Sequence, residues 1–168
     1  LKQFETDSVG KADGVLDAAA MSALDTRAPQ DGKPQTKYPK YEELFKDGLL
    51  DATIAVGYDE NGNFDYEIDA IRERIESELG CTKVDASKAA AAYKGAGMAM
   101  PSHGEGEYFL AENAFKYKQK GVSVLVRLVT YRDPEARDAY LEALQKSDVS
   151  VYTGHGRYGS GPDFDDKH

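Results

Sequence analysis

The order of apolar and polar positions predicts strands alternating with helices from residue 49 onward. Residues 49–58 predict a strand, and residues 59–63 predict a turn because Asn61-Gly62 is a favoured hairpin pair. Residues 63–67 are expected to return as a short strand. Four apolar residues then recur at the spacing of a helix face that ends at a glycine: Ile68, Ile71, Ile75 and Leu79.

Two more helices are predicted in the middle of the chain. The first covers residues 86–93 and ends near Gly95, and the second covers residues 108–117. Between them lies a segment rich in glycine, proline and serine, residues 98–106, which predicts a loop.

The last third of the chain has the clearest pattern. Residues 122–131 are β-branched and nearly all apolar, as expected of a strand buried on both faces. Asp133 and Pro134 then predict an N-cap and first helical position, with a helix running to Lys146. Residues 148–153 predict a second strand. Strand, helix and strand in succession form a βαβ unit with a right-handed crossover, so we expect an α/β domain with a parallel sheet.

The first 47 residues differ from the rest. They hold three of the six prolines and few large apolar residues, and only residues 14–24 have helical character. The pattern predicts an N-terminal arm or pro-segment over residues 1–47, preceding an α/β domain over residues 48–168. The charged and apolar regions of an export signal are not visible in this sequence.

Composition limits the partners. A chain of 168 residues suits one domain, and its net charge of −9 argues against nucleic acid or an anionic membrane as the main partner. The sequence has no apolar run of the roughly 18 residues that a membrane span needs. Its single cysteine, Cys81, rules out a disulfide within the chain. No cofactor and no metal are expected.

The candidate chemistry lies directly after the last predicted strand. Ligands and catalytic groups of open parallel sheets sit at the carboxyl ends of the strands. Here the strand runs into residues 153–159 (TGHGRYG), which place His155 between Gly154 and Gly156. Glycines let the backbone turn sharply and approach a substrate closely, so we expect His155 to be exposed on a loop.

A short apolar strand that ends in His-Gly resembles the histidine block of the caspase–gingipain–legumain group of cysteine endopeptidases (clan CD). The block spans residues 149–156 (VSVYTGHG) and looks most like the gingipain branch. The resemblance implies a three-layer α/β/α sandwich with a mainly parallel sheet. It also implies that His155 is the catalytic acid/base and that the amide of Gly156 contributes to the oxyanion hole. Peptide or protein would be the substrate, hydrolysed by a Cys-His dyad.

In this family the nucleophilic cysteine ends the next core strand, some tens of residues after the histidine. The chain has only Cys81, which comes long before His155. The resemblance therefore implies that a C-terminal segment or a second chain carries the nucleophile. A Cys81–His155 dyad is the alternative within the chain. Cys81 follows a predicted helix end, where the negative dipole would raise the pKa of a thiol, so a structural cysteine is the favoured interpretation.

Other functions for the same loop stay open. Residues 154–159 match the G-x-G-x-x-G pattern of dinucleotide folds, although that pattern must open a helix and Ser160-Gly161-Pro162 would break one. Imidazole and carboxylate groups near the end of the chain provide a possible metal-ligand set: His155, Asp163, Asp165, Asp166 and His168. The main alternative to a peptidase is a non-catalytic α/β protein-interaction domain. His103, which is also followed by glycine, is interpreted as a loop histidine.

Overall fold

The structure is a computed structural model that describes residues 41–58, 63–157 and 161–164. Residues 59–62 of the turn predicted over 59–63 lie outside the described residues, as do residues 1–40 of the predicted arm. Asp165, Asp166 and His168 of the possible metal set also lie outside them. The predicted boundary between residues 47 and 48 stays a prediction.

The described residues form an α/β domain. A 3₁₀ helix at Tyr41–Phe45 precedes the first strand. The strands are β1 Leu49–Val56, β2 Thr82–Val84, β3 Glu107–Tyr117, β4 Lys120–Thr130, β5 Val149–Thr153, β6 Gly156–Arg157 and β7 Gly161–Pro162. The helices are α1 Asn63–Ser77, α2 Ala86–Gly95 and α3 Ala136–Lys146.

The main sheet has five strands in the order β2-β3-β4-β1-β5. Strand β1 is parallel to both β4 and β5, whereas the β2–β3 and β3–β4 pairs are antiparallel. The sheet is therefore mixed and not mainly parallel as expected. The predicted strand–helix–strand unit is present as β4-α3-β5, with β1 inserted between its two strands.

The prediction of a helix over residues 108–117 is wrong, because this segment is strand β3. It forms a hairpin with β4, in which Tyr117 pairs with Lys120 across a two-residue turn. Lys118 and Gln119 both have positive φ, 46° and 67°, as a type I′ turn requires. Glycine or asparagine normally marks such a turn, so Lys-Gln carries no recognisable hairpin signal.

The expected short strand at residues 63–67 is also wrong, because helix α1 already begins at Asn63. Phe64 lies four residues before Ile68 and packs into the same apolar cluster. The helix face predicted from Ile68 onward therefore extends one turn further towards the N-terminus.

The predicted N-cap at Asp133 is displaced as well. Helix α3 begins at Ala136, and the Asp133 carboxylate instead accepts hydrogen bonds from the Thr130 N–H (2.7 Å) and the Thr130 hydroxyl (3.2 Å). Asp133 therefore closes the turn at the end of β4, and the helix starts one short turn later.

The helices pack against opposite faces of the sheet because side chains alternate along each strand. Helix α1 covers a face whose residues include Val56, Val126 and Leu128. Helices α2 and α3 cover the other face, through clusters that include Leu125 and Val129. Strand β4, buried from Leu125 to Thr130, lies in the middle as its apolar sequence predicts.

Strand β5 is an edge strand in the part of the chain that the structure describes. Val149 and Val151 point to the face that α1 covers, yet they remain 36% and 45% exposed. Leu141 and Leu144 of α3, on the other face, are 41% and 54% exposed. Among the described residues this edge therefore presents an unpaired backbone, with the exposed valines on the face that α1 covers. Among the described helices, none is long and apolar enough to span a membrane.

Candidate active site

Three adjacent parallel strands end at the same edge of the sheet. Val56 at the end of β1 pairs with Thr130 of β4 on one side and with Thr153 of β5 on the other. Backbone hydrogen bonds continue past the strand ends, from the Gly57 N–H to the Thr153 carbonyl (2.9 Å) and from the Tyr131 N–H to the Val56 carbonyl (2.8 Å). The loop that carries His155 therefore starts from a rigid platform.

His155 lies where the sequence places it, two residues beyond the end of β5. Its side chain is exposed, and its ring meets the ring of Phe64 edge-on at a centroid distance of 5.3 Å. The His155 carbonyl accepts hydrogen bonds from the Asp163 N–H (3.1 Å) and from the Tyr152 hydroxyl (2.7 Å). The backbone is therefore held in place while the imidazole faces solvent, where it can come within hydrogen-bonding reach of a substrate.

Tyr152 supports this loop from beneath. Its ring packs against Tyr140 and Phe164, with centroid distances of 5.6 and 5.5 Å. Its hydroxyl also contacts the backbone of Asp163, accepting from the N–H at 2.9 Å and lying 3.1 Å from the carbonyl. Burial raises the pKa of Tyr152, so the hydroxyl keeps its proton. One side chain thus connects the core to both ends of the loop.

Two glycines allow this close packing. A Cβ added at Gly57 would collide with the Tyr152 hydroxyl and would lie 2.6 Å from the Asp163 carbonyl oxygen. A Cβ at Gly154 would lie 2.6 Å from the same hydroxyl. Any larger residue at either position would push the loop away from the strand ends.

Gly156 is different, because a Cβ at this position would have no atom within 4 Å. The residue pairs with Pro162, which has no N–H, and the neighbouring bond runs from the Asp163 N–H to the His155 carbonyl. Gly156 and Pro162 are therefore a non-hydrogen-bonded pair. Because such a pair exchanges no hydrogen bonds, the Gly156 N–H points away from β7.

Polar side chains from α1 and β4 lie at the same edge. The Thr153 hydroxyl donates to Glu67 at 3.3 Å, and the Tyr131 hydroxyl donates to Asp65 at 2.6 Å. Asp65 also forms an ion pair with Arg132. The hydrogen bond from Tyr131 holds the pKa of Asp65 below its usual range. Charged side chains therefore border the site. They could not be expected from the sequence, because residues 63–67 were predicted to form a strand.

Cys81 lies far from His155. It precedes β2, at the opposite end of the strand order from β5, and four strand spacings amount to about 19 Å. Its neighbour Thr82 aligns through Leu110 and Leu125 with Asp51, near the beginning of β1 and not its end. The cysteine is 1% exposed, and burial raises the pKa of its thiol. This geometry excludes a Cys81–His155 dyad and assigns Cys81 to the core.

The sequence also allowed a dinucleotide-binding motif or a metal site in this loop. Gly156 begins strand β6, so the helix that a dinucleotide-binding motif must open is missing among residues 154–157 and 161–164. A metal site around His155 and Asp163 stays untested, because its other members lie outside the described residues. Comparisons with protein-family models, with curated proteins and with solved structures found no match for this chain.

Proposed function

We propose that this chain is the histidine-bearing portion of a caspase-like cysteine endopeptidase. The observation that carries the proposal is the position of His155: an exposed imidazole on a backbone-anchored loop, directly after a strand of a parallel group. His155 is the acid/base, the Gly156 N–H is an oxyanion donor, and a thiol from a C-terminal segment or a second chain is the nucleophile. The substrate is a peptide or protein.

The arrangement of layers supports this proposal. Helix α1 on one face of the sheet and helices α2 and α3 on the other are what a three-layer α/β/α sandwich requires. The parallel strands β4, β1 and β5 correspond to its catalytic half. The antiparallel strands β2 and β3 lie at the other end of the sheet, away from His155.

The open edge of β5 explains how a nucleophile can come from elsewhere. A strand added parallel to β5 would lie about 4.8 Å away, with its carboxyl end beside the start of the His155 loop. A cysteine at that end is within reach of the imidazole. Such a strand would also pair the exposed backbone of β5 and cover Val149 and Val151, which are half-exposed now.

The chemistry then follows from the two groups on the loop. A thiolate attacks the peptide carbonyl carbon, and the negative charge that develops on the carbonyl oxygen is stabilised by the Gly156 N–H. The C–N bond breaks as His155 gives its proton to the departing amine. Water, deprotonated by the same imidazole, hydrolyses the thioester and restores the thiol.

A second candidate is a non-catalytic interaction domain. The same exposed edge, with Val149 and Val151 beside it, favours binding of a partner strand whether or not chemistry follows. In that case the complete protein binds its partner strand without hydrolysing peptide, and Val151→Lys abolishes that binding.

The test is to map the reactive thiol of the complete protein, including any segments that its gene encodes beyond this chain. Iodoacetamide at neutral pH should alkylate one cysteine outside residues 1–168 and abolish peptide hydrolysis in step, and His155→Ala should slow the alkylation. Cys81→Ala is the control and should retain both the peptide hydrolysis and the alkylation of the other cysteine. Absence of hydrolysis, or loss of it in Cys81→Ala with the fold intact, would contradict the proposal.

A further inference from the structure

A second group of chemically competent side chains lies away from His155, between the loop before β3 and the start of α3. His103, Glu105 and Glu135 place one imidazole nitrogen and two carboxylate oxygens within 4.8 Å of one another. The His103 Nδ1 lies 2.7 Å from a Glu135 oxygen. Glu105 adds a second carboxylate, with one oxygen within 4.8 Å of the Glu135 oxygen.

Glu105 has a carboxylate oxygen that lacks a proton donor or a cation within the described residues. Its Oε2 is shielded from solvent and has no hydrogen-bond partner. A buried carboxylate oxygen without a donor is costly, and two carboxylates in contact repel unless a proton or a cation is shared between them. The single imidazole is already engaged with Glu135.

The backbone around the three side chains is fixed in advance. Both oxygens of Glu142 accept backbone hydrogen bonds, from the Ser102 N–H at 2.9 Å and the His103 N–H at 3.0 Å. The buried guanidinium of Arg127 donates to the His103 carbonyl and to the Ala139 carbonyl. The loop is therefore tied to β4 and α3 through main-chain atoms, so its position does not depend on the contact between the His103 imidazole and Glu135.

We propose that His103, Glu105 and Glu135 bind a divalent metal ion, with zinc as the best match. One imidazole and two carboxylates are a ligand set that suits Zn²⁺, and three protein ligands leave a position for water. Ligand atoms around one ion at about 2.1 Å are roughly 3.4 Å apart. The widest separation in the group therefore has to shrink by at most about 1.4 Å, and the His103–Glu135 contact has to open by about 0.7 Å. The exposed side chain of Glu135 can make these shifts. The ion neutralises both carboxylates and fastens the 101–106 loop to the start of α3.

The test is zinc titration of the complete protein by calorimetry, together with its melting temperature with and without Zn²⁺. The wild-type protein should bind Zn²⁺ saturably at one ion per chain in this site and melt at a higher temperature when it is bound. His103→Ala and Glu105→Gln should each weaken binding by at least tenfold and remove most of the zinc-dependent rise in melting temperature.

His155→Ala is the matched histidine control and should retain zinc binding unchanged. Glu105→Gln keeps the size and shape of the side chain, so it decides the question even if His103→Ala disturbs the loop. Absence of saturable binding up to about 100 µM, or equal binding by the wild-type protein and both variants, would overturn the proposal. Loss of binding in His155→Ala would also overturn it, because the ion would then belong to the last loop of the chain.

Discussion

At the scale of single residues, Gly57 and Gly156 should differ in how much stability an added methyl group costs. Gly57→Ala places a Cβ against the Tyr152 hydroxyl and the Asp163 carbonyl, so we expect a loss of about 1–3 kcal/mol in the free energy of unfolding. Gly156→Ala meets no neighbouring atom and should change it by less than about 0.5 kcal/mol. Urea denaturation of both variants measures the difference.

Equal stability of the two variants would mean that the His155 loop is not packed on the end of β1 as described. The prediction matters for function, because Tyr152 bonds the His155 carbonyl with the same hydroxyl that Gly57 accommodates. A displaced hydroxyl would therefore release the backbone on which the imidazole is carried. Activity of Gly57→Ala should fall together with its stability.

At the scale of elements, α1 is joined to β3 by an ion pair that should show in the pH dependence of stability. Glu107 is partly buried, which alone would raise the pKa of its carboxyl, but hydrogen bonds from Arg72 and Lys83 outweigh burial and hold that pKa below its usual value. The Arg72 Nε donates to Glu107 at 3.1 Å, and Lys83 of β2 donates at 2.7 Å.

A lowered carboxyl pKa stabilises the fold at pH values above the pKa of the unfolded state, which is near 4.5. This stabilisation is lost as the pH falls through the lower pKa of the folded state. Glu107→Gln should therefore cost about 1–2 kcal/mol at pH 7 and much less at pH 3. Urea unfolding at both pH values measures this, with the exposed Glu73→Gln as control. An equal loss at pH 7 and pH 3 would show that the ion pair does not contribute.

Elements with a sustained apolar pattern could be predicted from the sequence, whereas those defined by pairing could not. Strand β4 is marked by a long apolar run, the helix after it by a proline near its start, and β5 by a short β-branched segment. Strand β3 was missed because Lys118 and Gln119 form its hairpin turn without glycine or asparagine. The pairing of β3 with β4 depends on contacts between the strands, and the sequence of the turn does not indicate it.

The candidate site likewise contains residues that a local pattern predicts and contacts that it does not. His155 and Gly156 could be found because a strand end followed by His-Gly is a local pattern. The contact between Tyr131 and Asp65 joins residues 66 positions apart and depends on where α1 crosses the end of β4. His103 and Glu135, 32 positions apart, meet only because the 101–106 loop docks on α3. No spacing in the sequence indicates either pair.

At the scale of the whole molecule, the domain carries an exposed histidine at one end of β5 and an unpaired edge along the same strand. Each feature has a separate physical origin: the glycines free the imidazole, and the half-exposed valines mark the edge. Together they favour a catalytic site completed by another segment. Function and assembly should therefore depend on the same strand.

The most direct test of this account compares kcat/KM for peptide hydrolysis and the melting temperature of the complete protein with those of His155→Ala. Within the described residues, Phe64 is the one ring that the imidazole contacts, so the melting temperature should change little. Hydrolysis should fall at least 10²–10⁴-fold, on the order of what acid–base catalysis supplies. Tyr66→Ala, which removes an exposed ring from α1, is the control and should hydrolyse peptide normally. Retained hydrolysis in His155→Ala, together with a clearly lower melting temperature, would contradict the assignment of His155 as the catalytic acid/base.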